Sequence, residues 1–195
     1  MHRRVIRNAA AVGGAACLVL SMAAGIAGGE QDVPSDLQAA IITRLLGYDR
    51  ALKGRVGPSL TIGILGRASD RGASRAQADL EQAFGKQSSV QGVRLSAKPY
   101  SYTDAAQLGD WVASQGVDVL YVTAGLEKDV AAIQAVCTER KVVGVSAVRA
   151  FVKQGLAIGV VTKGESAGIL VNLPAARAVG MDLDPKLLTL AEVIR

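Results

Sequence analysis

From residue 59 onward, short apolar runs alternate with longer segments whose apolar positions recur at helical spacing. "SLTIGILG" (59–66) is a brief apolar run after Gly57-Pro58, too short for a helix, and reads as a buried strand. A polar loop, "RASDRG", leads to "ASRAQADLEQAFG", a helix closed by Gly85. "GVRLSAKPYSY" (92–102) holds a second strand, and "TDAAQLGDWVASQG" (103–116) a helix capped by Thr103 or Asp104. "VDVLYVT" (117–123), "AGLEKDVAAIQAVCTER" (124–140) and "KVVGVS" (141–146) continue as strand, helix and strand. Ahead of this series, residues 35–55 are amphipathic. Leu37, Ile41, Leu45 and Leu52 approximate one face, with Ser35 or Asp36 as cap after Pro34.

Alternating strands and helices predict an α/β domain: a mostly parallel sheet with crossover helices on both faces. The rhythm changes after residue 146. A short helix around "AVRAFVKQ" precedes "GLAIGVVTKGESAGILVNL" (155–173), an apolar run, a polar turn and a second apolar run, which predicts a C-terminal β-hairpin. Short terminal helices follow. "PAARAVG" has Pro174 suited to a first turn and Gly180 to an end, and "DPKLLTLAEVI" forms a final amphipathic turn or helix.

The first residues belong to a different regime. Arg3, Arg4 and Arg7 precede an uncharged stretch of small and apolar residues that lasts until Glu30. This is the pattern of a secretory signal peptide over residues 1–29, with Ala27 or Gly29 before the cleavage point. An uncleaved anchor is the alternative, because the run is about long enough to span a bilayer. Residues 30–195 then make the folded domain, expected in the periplasm.

Composition narrows the picture further. Half of the chain is hydrophobic but only 4% is aromatic, so the core must be aliphatic. The whole chain carries 22 Lys+Arg and 17 Asp+Glu; without Arg3, Arg4 and Arg7 the net charge falls from +5 to +2. That residue implies no nucleic-acid partner. Removal of the signal also takes the one histidine, His2, and leaves Cys137 as the one cysteine of the domain. No internal disulfide is then available, and the helical spacing around Cys137 places it in the core.

Candidate chemistry is correspondingly thin. "GESAG" (164–168) matches the G-x-S-x-G elbow of serine hydrolases. The elbow needs a strand before the serine, a helix after it and a base nearby. Here "ILVNL" follows, no histidine remains, and Lys163 sits at an adjacent hairpin position, so Ser166 reads as a turn residue. No metal set and no cofactor is expected, since carboxylates alone remain and show no calcium-loop spacing. "GILGRASDRG" lies at the carboxyl end of a strand, where Arg67, Ser69 and Arg71 are candidates to meet an anion, although neither dinucleotide nor phosphate-loop spacing is present. Trp111 shares a helical face with Leu108 and Val112 and reads as core. Tyr100 and Tyr102 close a strand and fit either packing or a cleft edge.

Taken together, the segments resemble the YfiR-like family of small periplasmic proteins over residues 36–195. The resemblance is carried by "YDRAL", "LTIGILG", "VDVLYVT" and "KVVGVS". It rests above all on the C-terminal stretch with Asn172, Ala175, Ala176, Arg177, Gly180, Leu187, Leu188, Leu190 and Ala191. Two features depart from the family: "LLGYDRALKGR" replaces an aromatic F-x-x-W-P, and the paired cysteines of some members are absent. The resemblance implies a non-enzymatic, often self-associating regulator, with a homodimer left open. Its implied role is to bind and repress an inner-membrane sensor protein such as a diguanylate cyclase, which links it to cyclic-di-GMP and biofilm. Tyr48, Asn172 and Arg177 are the partner-binding candidates. Two other readings compete: a small periplasmic solute-binding component, since such lobes share the strand–helix alternation, and an esterase using Ser166.

Overall fold

The computed structural model describes residues 33–164 and 166–195. The predicted signal peptide over residues 1–29, with Cys17, lies outside them. The chain runs through α1 (Ser35–Leu46), α2 (Leu52–Arg55), β1 (Ser59–Gly66), α3 (Arg71–Gly85), β2 (Ser89–Val90), β3 (Val93–Ser101), α4 (Ala105–Gln115) and β4 (Val119–Val122). It continues through α5 (Val130–Arg140), β5 (Val143–Ser146), α6 (Arg149–Lys153), β6 (Ile158–Lys163), β7 (Ser166–Asn172), α7 (Leu173–Ala178), α8 (Pro185–Leu190) and β8 (Glu192–Ile194).

These strands form one sheet in the order β2-β3-β1-β4-β5-β6-β7-β8. The run β3-β1-β4-β5-β6 is parallel. β2 is antiparallel to β3, β7 is antiparallel to β6, and β8 is parallel to β7. The expected α/β architecture, mostly parallel sheet and C-terminal hairpin are therefore present. β1 and β4 are buried along almost their whole length, because crossover helices cover both faces. One face packs Ile42, Leu45, Leu80 and Phe84 of α1 and α3, joined by Ala176 and Leu187 of the terminal helices. The other packs Leu108, Val112, Ile133, Val136 and Phe151 of α4, α5 and α6.

Four details differ from the sequence expectation. The amphipathic stretch 35–55 breaks after Leu46, and α1 turns its buried face one position away from the one predicted. Leu37 is 45% exposed, whereas Gln38 is buried because its amide donates to Val33 O and accepts from the Tyr121 hydroxyl. Helix α5 starts at Val130, since Gly125 adopts φ +87° and the preceding residues form a loop. A two-residue strand, β2, precedes β3. The final segment is not wholly helical: α8 is followed by β8, which adds to the sheet beside β7.

Gly63 is required by packing. A Cβ there would meet the Trp111 ring at 2.7 Å, and Trp111 in turn stacks on Tyr100 with centroids 4.5 Å apart. Trp111 is thus a packing residue, half-buried over the α4 face of the sheet.

The break after α1 is organised by Asp49, which is 0% exposed. Its carboxylate pairs with Arg55 at 2.5 Å and accepts backbone N–H bonds from Ala51 at 3.0 Å and Asp182 at 2.9 Å. Around it, Arg50 N donates to Asp182 O, and Asp184 N donates to Tyr48 O. One buried anion thereby fixes the segment after α1 to the segment before α8.

Asp49→Ala leaves Arg55 and two N–H groups without their acceptor and is expected to cost about 3–5 kcal/mol in urea denaturation. Asp49→Asn keeps one acceptor oxygen and is expected to cost less. Gly63→Ala forces the Trp111 ring to move and is expected to cost about 1–3 kcal/mol in the same assay.

Candidate functional site

In a doubly wound sheet the ligand crevice opens where successive strands leave in opposite directions. Here that point lies between β1 and β4, because the chain crosses from β1 to β3 on one side and to β4 on the other. The loops following these two strands are fastened together. Arg67 forms an ion pair with Asp129, and its Nε donates to Gly125 O at 3.2 Å. Gly125 lies so close to Asp70 that a Cβ would approach Oδ2 to 2.8 Å. Asp70 caps α3, accepting from Gly72 N at 2.8 Å and Ala73 N at 3.1 Å. The Arg67 guanidinium also lies 6.0 Å from the ring centroid of buried Tyr102. Burial, followed by the nearby Asp129 and Asp104 carboxylates, raises the pKa of the Tyr102 phenol.

A cleft of about 550 Å³ opens to one side of this fastening, at the carboxyl ends of β4, β5 and β6. The start of α1 supplies Val33, Pro34, Ser35 and Gln38; α3 supplies Gly72, Arg75, Ala76, Asp79 and Leu80. Strand ends and the start of α6 contribute the remaining wall, including Thr123, Val148, Arg149 and Val161. The floor is polar but internally bonded: Tyr121 meets Gln38, and Thr123 Oγ1 donates to Leu65 O at 2.7 Å. At the rim, Arg149 Nη1 donates to both carboxylate oxygens of Glu192, at 2.7 and 2.8 Å. That hydrogen-bonded pairing lowers the pKa of Glu192.

Of the three loop residues singled out from sequence, none is among the lining residues. Arg67 holds the two loops together, while Ser69 and Arg71 are exposed. Arg75, four residues and about one helical turn past Arg71, is the arginine of α3 that reaches the cleft. Arg149 and Gln38 are further lining residues that the pattern did not single out. Arg149 stands in a stretch that reads only as a short helix, and Gln38 stands on an apparently polar face.

The opposite, amino-terminal edge of the sheet carries the other candidates. Tyr48 is half-buried against the core, and its carbonyl accepts from Asp184 N at 2.9 Å. Asn172 is buried and N-caps α7: its Oδ1 accepts from Ala175 N at 3.1 Å, while Nδ2 donates to Val152 O at 2.8 Å. Arg177 is exposed on α7. These residues share an edge, but only Tyr48 and Arg177 present surface.

Ser166 opens β7 and pairs with Lys163 across the hairpin, with Gly164 at φ +61° in the turn. Its hydroxyl donates to Lys163 O at 3.1 Å. A strand follows it, so the geometry of a nucleophile elbow is missing. Cys137 is buried in α5, and desolvation pushes its thiol up to about 12. Among the described residues no helix is long and apolar enough to cross a membrane.

A family model described as YfiR/HmsC-like matches residues 35–192. No curated protein matches the chain. Three solved structures share the fold at low identity. A conserved domain protein from Vibrio cholerae aligns with TM-score 0.62 and 12% identity, covering 83% of this chain and 60% of that one. The ABC domain in complex with L-Trp from Streptococcus pneumonia aligns with TM-score 0.62 and 14% identity over the same shares, 83% and 60%. The ligand-free, open structure of CD0873, a substrate binding protein with adhesive properties from Clostridium difficile, aligns with TM-score 0.53 and 17% identity, covering 79% and 59%. The chain thus spans about 60% of the length of these structures.

A thiol this deeply protonated is unreactive. In Cys17→Ser protein, 5,5′-dithiobis(2-nitrobenzoate) at pH 8 is expected to find no fast-reacting thiol until denaturant is added. Rapid labelling of the native protein would contradict the burial of Cys137.

Proposed function

The chain belongs to the YfiR/HmsC-like family, and from that membership we propose a non-enzymatic periplasmic regulator that binds and represses a membrane-bound signalling protein such as a diguanylate cyclase. The observation that carries this reading is the extent of the family match. It runs from the first residue of α1 to the first residue of β8, so the family is matched over β1 to β7 and both helical layers. The setting of Ser166 speaks against an esterase that uses it, because its hydroxyl donates to the hairpin backbone and a strand follows where a nucleophile elbow has a helix.

Regulation by such a domain works through population shift. Repression follows if the domain binds the inactive state of the sensor more tightly than the active state. A difference of about 1.4 kcal/mol alters the ratio of states tenfold. The contact surface we assign is the amino-terminal edge of the sheet. Arg177 is exposed there, and Tyr48 is held beside the terminal segment by the bonds around Asp49. Asn172 supports this surface from beneath by capping α7, rather than touching a partner itself.

The test is affinity capture of the tagged protein from crosslinked native membranes, paired with cyclic-di-GMP measurement in a deletion strain. Capture of a sensor–cyclase and a raised cyclic-di-GMP level in the deletion are the expected results. Arg177→Glu is expected to cut capture by about tenfold, equivalent to some 1.4 kcal/mol, with unchanged thermal stability. An unaltered cyclic-di-GMP level across growth conditions, with no membrane protein captured, would reject the proposal.

A further inference from the structure

We propose that the cleft at the carboxyl edge binds a small organic anion with an apolar body, such as an aryl carboxylate, and that Glu192 competes with this ligand for Arg149. This goes beyond the regulatory reading and does not depend on it.

A cleft of about 550 Å³ falls within the range that encloses small ligands. Its walls include the aliphatic side chains of Val33, Leu80, Val148 and Val161, which suit an apolar body. The polar floor supplies no charge, since Gln38, Tyr121 and Thr123 are bonded to one another or to backbone. Charge recognition therefore falls to the rim.

Arg149 is the better placed cation there. Its side chain is 32% exposed, so it is partly shielded from water and held in position by Glu192. Only Nη1 makes that contact; Nε and Nη2 donate no bond among the described residues. The guanidinium fork thus keeps donors for a first contact with a carboxylate, and a second anion on the same guanidinium repels Glu192 and weakens its hold on Nη1. Arg75 faces the same cleft from α3. It is 86% exposed, and its contact with Asp79 is long, at 3.9 Å, so its head is able to swing toward a bound anion. Asp79 is the one carboxylate among the lining residues, against two arginines, and it lies beside Arg75. Among the described residues, a cationic ligand would meet Asp79 in the lining and, at the rim, Glu192, which Arg149 already neutralises.

Arg149 also connects the cleft to the edge of the sheet. Glu192 is the first residue of β8 and pairs with Leu170 of β7. An anion that recruits Arg149 takes from β8, a strand of three residues, one of its side-chain ties to the body of the domain. Ligand binding and release of the β8 edge are coupled through this single guanidinium.

Isothermal titration of the purified protein with phenylacetate and with its uncharged isostere phenylacetamide tests the proposal. The acid is expected to bind at least about tenfold more tightly than the amide, as a charge-assisted contact requires. Arg149→Ala is expected to abolish that preference. Glu192→Gln, which removes the competitor while keeping the strand, is expected to tighten the acid by about threefold, a gain of the size of an exposed ion pair. Thermal unfolding of both variants confirms that they are folded. No saturable binding of phenylacetate to the wild type, equal binding of acid and amide, or unchanged binding in Arg149→Ala would overturn the site. Unchanged affinity in Glu192→Gln would overturn the competition. No membrane partner is present in this measurement, so its outcome is distinct from that of the capture experiment.

Discussion

A carboxylate buried without a counter-charge would be too costly to keep ionised, so Asp49 dictates what surrounds it. Its oxygens require donors, and they are met by Arg55 and by the N–H groups of Ala51 and Asp182. These donors come from two stretches more than a hundred residues apart. Satisfying one side chain therefore closes the domain. The chain leaves α1, turns and meets the segment ahead of α8, so the stretch that leads into β1 and the stretch that leads toward β8 are tied to one another. The apolar packing of Leu52, Met181 and Leu183 gains its geometry from the same closure.

At the other edge of the sheet, polar contacts displace the cleft instead of lining it. The crossover between β1 and β4 is the place where this topology opens, yet Arg67, Asp70 and Asp129 draw its loops together. The remaining space lies toward α1 and α3. Its floor is closed by the Gln38–Tyr121 pair, with Tyr121 also set edge-on to Phe84 at 6.4 Å between centroids. Rigid strand ends and helix starts, rather than long loops, build most of that wall. This is the kind of support that holds a cleft in shape.

The central strands were legible because burial on both faces leaves near-continuous apolar runs, as in "SLTIGILG" and "VDVLYVT". The hairpin was legible because its turn interrupts one such run at Gly164. Other features depend on contacts distant in sequence and left no periodic trace. Gln38 looks like a solvent-facing residue until Tyr121, on another strand, is placed beside it. β8 reads as part of a helix because its strand character comes from β7 alone. For the site, the sequence points to the carboxyl end of β1 and to Arg67, which the structure places in the fastening beside the cleft and not in its lining. The role of Arg67 was settled by Asp129, a partner 62 residues away that no local pattern indicates. Arg75 and Arg149 lie on helices of ordinary composition, and only the fold sets them around one space.

The chain has a single tryptophan, and it sits on the face of the sheet opposite α1 and α3, pressed over Gly63 and stacked on Tyr100. Its emission is consequently a local optical reporter, tuned to the junction of β1, β3 and α4. A ligand in the cleft has no direct path to quench it. Any spectral change on binding would have to cross the sheet, so this one fluorophore distinguishes motion of the backbone layer from events confined to the cleft rim.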